Sequence, residues 1–171
     1  KKIPVGHPLD PTTVVGPLIH PVHEKKVLGY FDVARAEGAT IAAGGAKAQG
    51  PGGGCYVQPT LFTGARADMR IAQEEIFGPV LAVIPFDTED EAIRIANGTV
   101  FGLGGSVWTS DMNVAHRVSG AIRAGTVWVN CYDKSSPVTP FGGFKMSGVG
   151  RDGGDFGMHA YTEMQSIVWP G

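Results

Sequence analysis

Val80 to Asn130, VLAVIPFDTEDEAIRIANGTVFGLGGSVWTSDMNVAHRVSGAIRAGTVWVN, alternates short apolar runs with amphipathic ones. Val80 to Phe86 is a nearly continuous apolar run with a single proline near its end, which predicts a buried strand. Thr88-Glu89-Asp90-Glu91 is a capping box, so a helix is expected from there through Asn97. Gly104 to Thr109 predicts the next strand. Ser110 and Asp111 then cap a helix whose Val114, Ala115, Val118 and Ile122 share one face, with Gly125 as its stop and Thr126 to Asn130 as a third strand. Apolar strands separated by helices of this length predict βαβ units. The fold class is therefore α/β, a largely parallel sheet with flanking helices.

Working outward, residues 3–19 carry Pro4, Gly6, Pro8, Pro11, Gly16 and Pro17 and read as an extended, turning lead-in. Between Pro21 and Gly38 a helix is expected, with Val27, Leu28, Phe31 and Ala34 as its apolar stripe and Glu24, Lys25, Lys26, Arg35 and Glu37 facing water. Gly38 supplies its C-terminal glycine. Thr40 to Ala43 and Tyr56 to Phe62 predict strands on either side of a glycine-rich loop, 44–54. Beyond Asn130, residues 131–158 form a long loop rich in glycine and aromatic residues. Thr162 to Trp169 predicts a terminal strand, whose backbone groups need a partner that a second chain can supply.

At 171 residues the chain is long enough for one domain with a core. A net charge of −2 argues against nucleic acids and anionic membranes as partners. No apolar run approaches the roughly 20 residues that cross a bilayer, and Lys1-Lys2-Ile3-Pro4 lacks the apolar core of a signal peptide. Cys55 and Cys131 stand outside any paired spacing, which favours a reducing, cytoplasmic setting and no disulfide framework. The chain starts without Met, as a processed or excised segment does. Glycine is the anomaly: 26 residues, about twice the usual share of roughly 7%.

Gly148-Val149-Gly150-Arg151-Asp152-Gly153 matches G-x-G-x-x-G, but no apolar strand leads into it and no acidic residue follows at the required distance, so it reads as a tight turn. His20 and His23 lack companions for a metal site and read as surface histidines. Cys131 has no neighbouring histidine or helix start to activate it and reads as a buried, inert thiol. Asn97-Gly98-Thr99 reads as helix-end chemistry. Two strings resist such readings. Glu74-Glu75-Ile76-Phe77-Gly78-Pro79 puts two acids and an aromatic on a turn, where a carboxylate can accept from sugar hydroxyls. Pro140 to Arg151 packs glycines, Phe141, Phe144, Lys145 and Arg151 into one loop, the kind of segment that carries function.

These two strings, together with Gly16-Pro17-Leu18-Ile19, Gly29-Tyr30, Glu37-Gly38-Ala39, Gln58-Pro59-Thr60, Gly102-Leu103 and Ala124 to Asn130, resemble the C-terminal third of the NAD(P)-dependent aldehyde dehydrogenases. The resemblance runs over essentially the whole chain. It implies that residues 1–160 are the C-terminal part of the catalytic domain and 161–171 an oligomerisation strand, with the dinucleotide-binding domain absent from this chain. It implies cofactor-side roles for Glu75, at the nicotinamide ribose, and Phe77, near the nicotinamide. Phe141 corresponds to an aromatic lining the aldehyde tunnel, with Tyr132 and Asp133, ahead of Lys134, at its mouth; Asn130 corresponds to a structural asparagine. The implied activity is oxidation of a small-molecule aldehyde to its acid with NAD or NADP, by a homo-oligomer, dimer or tetramer. The attacking cysteine, the glutamate base and the oxyanion asparagine of the family have no counterparts in these 171 residues. No catalytic residue and no metal ligand is therefore expected here, and the isolated chain should be inactive. The alternative is a stand-alone, non-catalytic fragment that only self-associates.

Overall fold

A computed structural model describes residues 3–171; Lys1 and Lys2, where the polar start without a signal-peptide pattern begins, lie outside the described residues. The chain forms two compact units, Lys1–Phe86 and Asp87–Gly171, where the sequence length alone predicted one domain.

The first unit is organised by helix α1, Pro21–Ala36. His20 caps it, its Nδ1 accepting from the Val22 amide at 3.1 Å, and Pro21 enters where no intrahelical donor is needed. It ends at Gly38, whose φ of 96° lets the Ala39 amide return to the Ala34 carbonyl at 2.9 Å and the Gly38 amide to Arg35 at 3.1 Å. Val27, Phe31 and Ala34 are buried on one face. That face packs with the three-stranded sheet of β1 (Thr40–Ala43), β2 (Thr60–Thr63) and β3 (Val80–Ala82). β1 and β2 run antiparallel, β2 and β3 parallel with Thr60 opposite Val80. Phe31 and Phe62 meet at 5.9 Å between ring centroids, the centre of a core completed by Val57, Met69, Ile71 and Ile76. A one-turn helix α2, Arg70–Gln73, leads from β2 toward β3.

Three expectations change here. Glu24, assigned to water, is buried and accepts from Lys47 Nζ at 2.9 Å, because 24, 27, 31 and 34 fall on the same face and the 44–54 loop delivers a cation to it. The strand expected from Tyr56 pairs in a ladder only from Thr60, since Pro59 has no amide to donate; Cys55 and Val57 make isolated bridges to Leu18 and Lys47 instead. β3 stops at Ala82 because β2 offers it only four residues.

The second unit contains α3 (Glu89–Asn97), β4 (Phe101–Gly102), β5 (Gly104–Val107), α4 (Met112–Ala121), β6 (Thr126–Val129), β7 (Phe144–Lys145) and α5 (Gly154–His159). The expected βαβ unit is present: β5 and β6 are parallel, Gly104 opposite Thr126 through Val107 opposite Val129, with α4 between them. β4 and β7 pair antiparallel. Thr88 Oγ1 accepts from the Glu91 amide at 3.2 Å and Glu91 accepts from the Asp87 amide at 3.0 Å, a capping box shifted outward by one residue. Asp111 caps α4. Arg117 joins α4 to α3 through two bonds to Glu89, at 2.8 and 2.7 Å. Gly125 does not stop α4, which has already ended with Ile122 in extended conformation. A Cβ at 125 would strike the Gly142 carbonyl, so this glycine serves the approach of the 142 loop. Among the described residues of this unit, only Val107 and Ala115 are buried hydrophobics. Residues 163–171 form no ladder with the described residues.

Since Phe62 is fully buried against Phe31, Phe62→Ala should lower the unfolding free energy by about 3–5 kcal/mol. The measurement is urea denaturation, read as a lower midpoint at unchanged slope.

Candidate functional site

The turn 74–79 leaves the end of α2, and α1 holds it. The two acids on it have different fates. Glu74 accepts from Arg70 Nε at 2.7 Å and Nη2 at 2.8 Å, four residues back, and from the Tyr30 hydroxyl at 2.7 Å. The Arg70 guanidinium first, then the Tyr30 hydroxyl, hold its carboxyl down to about 2, and the same bond to Glu74 pushes the Tyr30 hydroxyl up. Both of its oxygens are bonded within the fold. Glu75 is exposed, and its carboxylate accepts no hydrogen bond from the described residues. Its backbone is fixed, however, by Lys26 Nζ donating to the Glu75 carbonyl at 3.2 Å.

Ile76 is buried and anchors the turn. Phe77 then takes a φ of 59°, in the left-handed region where an aromatic residue costs about 1–3 kcal/mol. Its carbonyl receives His23 Nε2 at 2.6 Å, and its ring, 74% exposed, lies edge-to-face with the imidazole at 6.1 Å between centroids. Gly78 is required by packing, since a Cβ there would sit 2.9 Å from both Val27 methyls. The Pro79 carbonyl accepts from the Thr60 amide at 2.8 Å, tying the turn to β2. His23 is thus more than the surface histidine expected from sequence. Its signal was the i, i+3 spacing with Lys26 on a face whose next residue, Val27, is buried.

In the second unit, Asn130 has a φ of 53° and bridges Thr109, donating to its carbonyl and accepting from its amide at 2.9 Å each. That is the structural role expected for it. Tyr132 and Asp133 lie on the next turn, both exposed, with Asp133 at a φ of 55°. Trp128 sets this turn: its indole N–H donates to the Lys134 carbonyl at 2.7 Å and its ring meets Tyr132 at 5.2 Å. Phe141 exchanges backbone bonds with Asp152, at 2.8 and 2.7 Å, leaving its ring 41% exposed. The cations of the 140–151 motif are absorbed into the fold. Lys145 Nζ donates to the Asn97 and Thr99 carbonyls at 3.0 Å each, at the end of α3. Arg151 donates to the Gly143 and Gly150 carbonyls and lies over the Phe144 ring at 5.2 Å. Gly148, Gly150 and Gly153 all have positive φ, in keeping with a turn.

Glu75 and Phe77 therefore share one turn of the first unit, and Tyr132 and Asp133 one turn of the second, with Phe141 on a separate bridge there. Cys55 and Cys131 are free, and no described contact joins either to a histidine; both are half-buried, so Cys131 is less enclosed than the buried thiol expected from sequence. Among the described residues no group of three or more His, Cys, Asp or Glu side chains could hold a metal ion, and no helix is long and apolar enough to cross a membrane.

Residues 1–167 match the aldehyde dehydrogenase family. A betaine aldehyde dehydrogenase of Mesorhizobium japonicum is 48% identical over 169 residues, which are 98% of this chain and 35% of that protein. One from Cereibacter sphaeroides is 48% identical over 96% of this chain and 34% of its own length. Among solved structures, a mutant indole-3-acetaldehyde dehydrogenase of P. syringae in complex with NAD+ and IAA superposes with a TM-score of 0.92 at 49% identity, covering 96% of this chain and 33% of that one. The betaine aldehyde dehydrogenase of Staphylococcus aureus in complex with NAD+ superposes with a TM-score of 0.89 at 43% identity, over 94% and 32%. The chain spans about a third of the length of the curated relatives it matches.

The depressed Glu74 carboxyl makes a pH prediction. Its folded value of about 2 lies below the ordinary 4.5, so its contribution to stability is complete above 4.5 and is lost as pH falls from there through about 2. Glu74→Gln should be less stable than the parent at neutral pH, and the two should converge over that window. Urea midpoints measured from pH 7 down to pH 2 check this.

Proposed function

The chain belongs to the aldehyde dehydrogenase family, and on that premise we propose that these residues are the C-terminal third of an enzyme that oxidises an aldehyde to a carboxylic acid with NAD or NADP. The one-third coverage of the relatives supports a portion of such an enzyme, and its C-terminal position rests on the order of the motifs in the resemblance alone. Residues 1–160 then belong to the catalytic domain, and 161–171, with Met164, Ile167, Val168 and Trp169 exposed, to an oligomer contact. Two free thiols agree with a reducing, cytoplasmic setting.

The observation that carries the cofactor assignment is the contrast between the two adjacent acids. Both Glu74 oxygens are bonded within the fold, while Glu75 presents a carboxylate that accepts from no described residue, on a backbone that Lys26 and His23 fix. A carboxylate accepts from vicinal ribose hydroxyls, and the exposed Phe77 ring two residues on offers an apolar face; an acceptor with an apolar face near it in the chain fits the nicotinamide riboside end of a dinucleotide. When bound, NAD(P) supplies a hydride acceptor. The residues of this chain do the holding: Glu75 orients the ribose and Phe77 excludes water on one side. On the substrate side, Phe141, Tyr132 and Asp133 line the approach of the aldehyde, and Trp128 sets the turn that carries two of them.

The nucleophile, base and oxyanion donor of the cysteine-thioester chemistry are not among these residues, so the isolated 171-residue chain should give no aldehyde-dependent NADH; saturable production by the purified chain overturns this. In the complete enzyme, Glu75→Gln replaces a charged acceptor with a neutral one. Because a hydrogen bond to a charged group is worth about 1.5–3 kcal/mol, kcat/KM for NAD(P) should fall roughly tenfold or more. Steady-state kinetics with the dinucleotide varied check it, and unchanged parameters remove Glu75 from the cofactor site.

A further inference from the structure

We propose that His23 is a positioning residue for the cofactor-side turn, holding Phe77 by its carbonyl and by its ring at once; this rests on the assignment of Glu75 and Phe77 to the dinucleotide. A carbonyl oxygen only accepts, so the His23 Nε2 that lies 2.6 Å from it carries the proton. The same imidazole meets the Phe77 ring at 67° between planes, the edge-on arrangement that aromatic quadrupoles favour. Phe77 needs such a hold. At a φ of 59° a phenylalanine relaxes toward ordinary backbone values unless its peptide is fixed from outside.

The rest of the α1 face completes the grip. Residues 23, 26, 27 and 30 fall at i, i+3, i+4 and i+7. Lys26 takes the Glu75 carbonyl, Val27 fills the space against Gly78, and Tyr30 takes the Glu74 carboxylate. Between the two held carbonyls, Ile76 points into the core, while the Glu75 carboxylate and the Phe77 ring are exposed. His23 is the member of this face that touches both the backbone and the ring of a displayed residue. An imidazole with two rotatable bonds is also a stiffer strut than the four-carbon stem of Lys26.

The test uses the complete enzyme, with NAD and aldehyde varied separately, and amide hydrogen exchange of segment 74–80. His23→Ala should raise KM for NAD about fivefold to tenfold, the worth of one hydrogen bond, with KM for aldehyde unchanged and exchange of the segment faster by a similar factor. His23→Gln, whose amide can donate to the same carbonyl, should recover most of both. His23→Leu gives the same readings should His23→Ala fail to fold. If Glu75→Gln raises KM for NAD while His23→Ala moves neither reading, or moves one without the other, the inference falls and the cofactor assignment stands. If Glu75→Gln leaves every NAD parameter unchanged, the cofactor assignment falls and takes the inference with it.

Discussion

Burial of Val27, Phe31 and Ala34 against the sheet that carries Phe62 is the constraint on which the first unit depends. It fixes α1 in rotation as well as position, because an apolar stripe at 3.6-residue spacing can face the core in only one way. Everything polar on the neighbouring faces is then placed by consequence. Glu24, on the stripe itself, has to find Lys47; His23, Lys26 and Tyr30, flanking it, come to lie along the 74–78 turn. Removing packing at the stripe would therefore loosen the turn as well as the core.

Where short-range chemistry decides the structure, it was legible in the sequence. The Thr88 box, the Asp111 cap and the Gly38 ending of α1 each involve residues within a few positions of one another, and each forms. The parallel β5–α4–β6 unit follows from the same local signals. What was missed involves partners distant in the chain. Glu24 is buried because of a lysine 23 residues on, and Gly125 is needed by a carbonyl in the 142 loop; the late start of the β2 ladder is different, since Pro59 is a local signal inside the expected strand. The division into two units was invisible for a related reason: Phe86 and Asp87 look like one more strand-to-helix connection until the contacts on either side are known.

The two acids of the 74–79 turn show the same limit at the scale of a site. Residue type made them equivalent. The i, i+4 spacing from Arg70 marked Glu74 as the one to be consumed by an ion pair, and that signal was present in the sequence. The third partner, Tyr30, was not, because it comes from α1 and only the core packing brings it there.

Among the described residues, four other than glycine adopt positive φ: Phe77, Asn130, Asp133 and Lys145. Phe77 and Lys145 lie in the two segments singled out from the sequence, and Asn130 and Asp133 in the run that leads from β6 to the second of them, where strain of about 1–3 kcal/mol per residue is expected to concentrate if it serves a site. They divide into two kinds. Asn130 and Lys145 offset the strain with their own side chains, which bond Thr109 in the one case and the Asn97 and Thr99 carbonyls in the other. Phe77 and Asp133 have no such bonds from their side chains; the first is held by His23, and the second sits in a turn set by Trp128 through Lys134. For a strained backbone maintained by others, glycine is the cheaper residue, so an exposed side chain kept there calls for a reason beyond the backbone. Such a side chain is left available to a ligand, which agrees with the proposed roles of Phe77 and Asp133; the cofactor and substrate sides themselves are what the family resemblance implies.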